Sequence, residues 1–102
     1  MGVDIIKDDT VAAFNDINPH SPVHILIVPK KHIRSINDIT RDDSPIIAKM
    51  IAAGKDMAKK AGVSKSGYKL VFNVEKGGGQ VIFHLHLHVL GGWKNGYNGN
   101  QG

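Results

Sequence analysis

Phe83-His84-Leu85-His86-Leu87-His88-Val89-Leu90-Gly91-Gly92 places a histidine at every second position, with apolar residues between. Side chains on a β-strand point alternately to its two faces. A strand here sets His84, His86 and His88 on one face and Leu85, Leu87 and Val89 on the other. The apolar face packs on a core. The other face presents three imidazoles, alternate residues lying roughly 6.5–7 Å apart. Imidazole serves as base, acid, nucleophile or metal ligand near neutral pH. Taken alone, the pattern admits three readings: chance histidines on a solvated face, a metal site with ligands at i and i+2, or catalysis. Activity that survives a strong chelator separates the last two.

Working outward, Glu75-Lys76-Gly77-Gly78-Gly79-Gln80 is a glycine-rich connector, and Tyr68–Val74 is rich in strand formers. The histidine strand is expected over Ile82–Leu90. Before these, Ile47, Met50, Ile51, Gly54, Met57, Ala58 and Ala61 recur at helical spacing, with lysines opposite. Ser44 caps this helix, Pro45 opens it and Gly62 stops it, which gives a helix over Pro45–Ala61. Its Met and Ile residues read as core. Val23–Val28 is almost continuously apolar, the mark of a central strand buried on both faces. Pro29 ends it, and Lys30-Lys31-His32 follow at its end. The two lysines read as a solvated edge, and His24 as a satisfied core histidine. Asp16–Pro22 holds two prolines and reads as a loop, with His20 exposed. Asp16 there reads either as an Asx-turn residue or as a ligand group. Val3–Lys7 and Thr10–Phe14 flank Asp8-Asp9 as a hairpin. Short-turned strands with one long helix give an α+β class: an antiparallel sheet with the helix on one face.

The 102 residues suffice for one small domain. Residues 1–92 are expected to form it, with 93–102 a Gly/Asn-rich tail anchored only through Trp93 and Tyr97. The absence of cysteine excludes disulfides and thiolate chemistry, and fits a reducing compartment. No apolar run is long enough to span a membrane, and no signal-peptide pattern opens the chain. A cytoplasmic protein is expected. The formal charge of +4 suits an anionic small ligand as well as nucleic acid; neither nucleic acid nor membrane is expected as a partner.

His84-Leu85-His86-Leu87-His88-Val89-Leu90 resembles the signature of the histidine-triad (HIT) family of nucleotide hydrolases and transferases. Phe14–Pro19, His24–His32 and Gly78–Phe83 resemble that family's other typical stretches, in order and spacing. The short length and closing Val-Leu-Gly-Gly are most similar to the Hint branch, the purine nucleoside phosphoramidate hydrolases. The resemblance implies a homodimer with about five antiparallel strands per chain, acting on AMP-like purine nucleotides without a cofactor or metal. It implies that His86 is the nucleophile, oriented by the backbone carbonyl of His84, and that attack forms a nucleotidyl-histidine. His88 donates to a phosphate oxygen or the leaving amine. His84 and His32 set ring orientation. Asp16 takes the ribose diol, with Ile17 and Phe14 at the base. Asn73 takes the phosphate or ribose region, Gln80 and the amides near Gly78-Gly79 take the phosphate, and Val81 stands where many Hint-type chains carry a hydroxyl. Hint-type chains usually have a further helix-bearing segment before the first hairpin. Its absence and Val81 keep a nucleotide-binding scaffold dimer open as a second function, and a dinucleoside polyphosphate hydrolase stays open as the neighbouring activity.

Overall fold

The computed structural model describes residues 4–97, with side chains from Asp8 onward. Val3 of the expected hairpin and positions 98–102 of the expected tail lie outside the described residues. Among the described residues five strands form one antiparallel sheet: β1 (Asp4–Lys7), β2 (Val11–Asn15), β3 (Val23–Pro29), β4 (Tyr68–Val71) and β5 (Leu87–Gly91). Their spatial order is β1-β2-β3-β5-β4. The near-continuous apolar run of β3 is thus the central strand. Helix α1 (Ser44–Lys60) lies against one face.

Period-two alternation sorts the sheet into two faces. Val11, Ala13, Ile25, Ile27, Leu87 and Val89 join Met50, Met57 and Ala58 of α1 in the core. Phe14, Leu26, His24, His88 and Leu90 face the other way. The register pairs Leu26 with His88 and His24 with Leu90. Gly54 allows the helix to approach closely. A Cβ there would lie 3.2 Å from Leu70 and 3.3 Å from Leu87.

Asp43, not Ser44, is the helix N-cap. Its carboxylate accepts from Lys31 Nζ at 2.6 Å and from the Thr40 amide, which holds it below the usual carboxylate range. At the other end Gly62 has φ 79°, and the amides of Gly62 and Val63 bond back to the carbonyls of Lys59 and Ala58. This is a Schellman stop, as the glycine position requires.

Two strands are shorter than the sequence suggests. β4 ends at Val71, so Asn73 lies beyond it. β5 begins at Leu87, so His84 and His86 precede the strand. Pro29 explains the second difference. Extending the β3–β5 register past Ile27 and Leu87 sets Pro29 opposite Leu85. Proline has no N–H to give to a ladder. Leu85 N bonds the Ile33 carbonyl instead, at 2.6 Å. The freed Pro29 carbonyl accepts from His84 Nε2 at 2.8 Å.

Candidate active site

On the sheet face away from α1 lies a cleft of about 810 Å³. Its floor is Leu26, Val28 and Leu90, from β3 and β5. At one end stand Phe14, Asp16, Ile17, Asn18 and His20, from β2 and the loop after it. At the other stand Val71, Asn73, Gly79, Val81 and Ile82. His24, His84, His86 and His88 line the middle.

Hydrogen bonds assign the protons of these rings. His86 Nδ1 lies 2.7 Å from the His84 carbonyl. A carbonyl only accepts, so in the neutral ring Nδ1 carries the proton and Nε2 keeps a lone pair. His84 donates through Nε2 to Pro29, and its Nδ1 lies 3.2 Å from His32 Nδ1. His24 Nδ1 accepts from the His20 amide at 3.0 Å. Its Nε2 therefore donates to His88 Nδ1, 2.9 Å away. A neutral His88 then carries its proton on Nε2. Asn73 Nδ2 is placed 3.4 Å from that nitrogen, so the side-chain amide must be turned to offer its oxygen to the His88 proton.

Burial keeps His88 neutral. Desolvation, with His86 and His24 nearby, pushes its pKa down to about 4, against a weaker opposing pull from Asp16. Desolvation lowers His24 as well. The sign for stability follows from linkage. Between about pH 6.5 and 4 the unfolded chain binds a proton at His88 that the folded protein does not. Stability therefore falls as pH drops through that window and levels off below it. After a discount for partial exposure, we expect His88 to account for about 2 kcal/mol. Urea unfolding at pH 7 and pH 4.5 checks this. Wild type should lose more stability than His88→Asn, and equal losses would contradict it.

The expected site residues divide into those at the cleft and those behind it. Phe14, Asp16, Ile17, Asn73, Val81, His84, His86 and His88 all line it. Asp16 accepts the Asn18 amide at 2.8 Å, an Asx turn, while its second oxygen lies 3.5 Å from His24 Nε2. Val81 is 84% exposed at the rim. His32 lies against His84, with ring centroids 5.0 Å apart, and does not reach the cleft. Gln80 corrects the expectation of a phosphate ligand. It is 4% exposed and absent from the lining. Its oxygen accepts from the Glu75 amide, and its nitrogen donates to the carbonyls of Arg34 and Ile82. With those bonds made, it has little capacity left for a ligand.

His24 and His20 were missed as site residues. His24 is buried, as a core histidine would be, yet it bonds His88 directly. Its alternation with Leu26 and Val28 was the available signal, hidden because both faces of β3 are apolar. Asp16, His24 and His88 each offer a donor atom, all within 4.8 Å of one another. A divalent cation there would have to displace the proton between His24 and His88.

In the part of the tail described, Trp93 and Tyr97 pack edge to face at 5.2 Å, and Lys69 Nζ sits 4.1 Å over the Tyr97 ring. No helix among the described residues is long and apolar enough to cross a membrane.

Residues 3–95 match the HIT domain. The chain is 39% identical over 88 residues to the purine nucleoside phosphoramidase of Escherichia coli K12, covering 86% of this chain and 74% of that one. The crystal structure of a HIT family hydrolase from Legionella pneumophila superposes with a TM-score of 0.89 at 47% identity, covering 92% of this chain and 84% of that one. A histidine triad protein from Clostridium difficile superposes at 0.87 with 39% identity, covering 92% and 82%. With the triad, the sheet order and the match across nearly its whole length, the chain belongs to the histidine-triad family.

Proposed function

We propose that the protein hydrolyses phosphoramidates of purine nucleoside monophosphates through a nucleotidyl-His86 intermediate. The observation that carries this is the pair of fixed tautomers. His86 offers a lone pair at Nε2, and His88 a proton at Nε2, with ring centroids 4.9 Å apart in one cleft.

In the first step His86 Nε2 attacks the α-phosphorus and the P–N bond to the amine breaks. The His88 Nε2 proton passes to the departing amine. In the second step water attacks phosphorus, the bond to His86 breaks, and His88 takes a proton from that water. Nucleoside monophosphate leaves and both rings return to their starting state. The division replaces one hard displacement by two easier ones. The rest of the cleft supplies position and charge stabilisation. Asp16 takes the ribose diol, Phe14 and Ile17 hold the base over the apolar floor, and Asn73 takes the phosphate; the Gly78 and Gly79 amides are bonded to the Glu75 and Lys76 carbonyls. His84 and His32 act behind the nucleophile.

The cleft lining also bears on the choice of substrate. None of its described residues is Lys or Arg, and Asp16 is its one acidic group. A chain of phosphates would find no cation there, whereas a single phosphoryl group meets the donors of His88 and Asn73. The test compares an adenosine 5′-phosphoramidate with a diadenosine polyphosphate, in the presence of a strong chelator. We expect at least about a tenfold higher kcat/KM on the phosphoramidate, undiminished by chelation because nucleophile and acid are both side chains. Preference for the polyphosphate would overturn the reading, and nucleotide binding without turnover would favour the scaffold.

Val81 gives the phosphate no hydroxyl donor. Val81→Ser should raise kcat by about tenfold, the scale of one hydrogen bond to a charged group. Unchanged kinetics would contradict this. The homodimer belongs to the same proposal. Exposed Leu70 on the β4 edge and exposed Ile51, one turn before Gly54 on α1, supply apolar surface for a second copy. The remaining assignments within the proposal are a single domain over residues 1–92, a cytoplasmic location, and no nucleic acid or membrane partner.

A further inference from the structure

Glu75 does not line the cleft, yet among the described residues it is the one non-glycine with positive φ. Its φ of 62° and ψ of 173° lie in a region open essentially only to glycine. Several bonds hold it there. Both terminal nitrogens of Arg34 grip its carboxylate, Nη2 to Oε1 at 2.8 Å. Ser35 Oγ donates to Oε2 at 2.7 Å. The Glu75 amide donates to Gln80 Oε1 at 2.9 Å. Ser35 is 0% and Gln80 4% exposed, so the inner half of the network is buried, while the Arg34–Glu75 pair itself is partly open to solvent. An exposed ion pair alone contributes little. A bidentate grip on a strained backbone is a different arrangement.

The network ties the segment after β3 to the connector before β5. Gln80 Nε2 donates to the Arg34 carbonyl at 2.8 Å and to the Ile82 carbonyl at 3.1 Å. The Arg34 guanidinium lies 4.6 Å over the Phe83 ring. Leu85 N bonds the Ile33 carbonyl. Between Phe83 and Leu85, both thus fixed, sits His84, whose carbonyl accepts the His86 Nδ1 proton.

We propose that Arg34 and Glu75 are positioning residues for the nucleophile, a clamp that holds the His84 carbonyl where it fixes the tautomer and aim of His86. The activity arm of its test rests on the reading of His86 as nucleophile; the spectroscopic arm does not. Glycine at position 75 removes the strained side chain and the clamp together. A purely stabilising Glu75 and a positioning one therefore predict different things.

The experiment measures kcat, KM and melting temperature on a fluorogenic adenosine phosphoramidate for Glu75→Gly, Arg34→Gln and Arg34→Lys. It adds the ring ¹⁵N shifts of His86. Glu75→Gly should fold and melt near wild type, with kcat about tenfold lower and KM changed less than about threefold. Arg34→Lys should keep more activity than Arg34→Gln, since one charge without the fork restores part of the grip. The His86 shifts should move from a single Nδ1-protonated tautomer to a mixture in Glu75→Gly. A Glu75→Gly protein with wild-type kcat and an unchanged tautomer would overturn the clamp, as would a loss that vanishes on correction for folded fraction. If wild type shows no turnover, the functional reading fails, while the shifts still decide the clamp.

Discussion

His86→Ala should lower kcat on an adenosine phosphoramidate by about 10³-fold or more, the scale seen when a covalent nucleophile is removed. The His84 carbonyl takes the Nδ1 proton at 2.7 Å, so the nitrogen facing the cleft is the unprotonated one. Of His24, His84 and His88, none is left in that state by its partners. His24 spends both nitrogens on His20 and His88, His84 donates its Nε2 proton to Pro29, and His88 receives at Nδ1. Nucleotide affinity should change little, because the proposed nucleoside contacts, Asp16, Phe14 and Ile17, are left in place. The check is steady-state kinetics together with equilibrium AMP binding. Residual kcat above about one tenth of wild type would refute the role.

The second large effect belongs to His88. A general acid matters in proportion to how badly the leaving group needs a proton. In His88→Ala, cleavage of an alkylamine phosphoramidate should slow by about 10³-fold, within the usual range for a positioned acid. Cleavage of a mixed anhydride, whose carboxylate leaves unaided, should slow much less. The tautomer chain explains why His88 is suited to this. The His20 amide fixes His24, and His24 fixes His88, so the transferable proton sits on Nε2 beside Asn73. Burial holds the ring neutral down to about pH 4, so it offers a proton without carrying a charge. Rapid-quench measurement of the first half-reaction on both substrates checks the prediction. Equal slowing on the two would assign His88 to phosphate binding alone.

Much of this architecture is legible in the residues. The alternation in β5 declared which face is apolar, and the helical spacing of Met50, Met57 and Ala58 declared what covers it. Gly62 marked the helix end because a left-handed residue there closes the last carbonyls. What escaped the sequence depends on contacts between distant segments. The early end of the histidine ladder follows from a proline opposite it, 56 positions before Leu85. His24 looked like any buried histidine because its partner is 64 residues away. Gln80 stands in a run that resembles a phosphate loop, but its amide is directed into the connector. Glu75 offers no local hint of positive φ. The Arg34 fork, 41 residues distant, together with the bonds to Ser35 and Gln80, accounts for it.

The most direct measurement is the intact mass of the enzyme quenched under alkaline denaturing conditions during turnover of an adenosine phosphoramidate, followed by peptide mapping. The account predicts a gain of one adenylate, located on His86 and absent from His86→Ala. An adduct on another residue, or adduct formation persisting in His86→Ala, would contradict it.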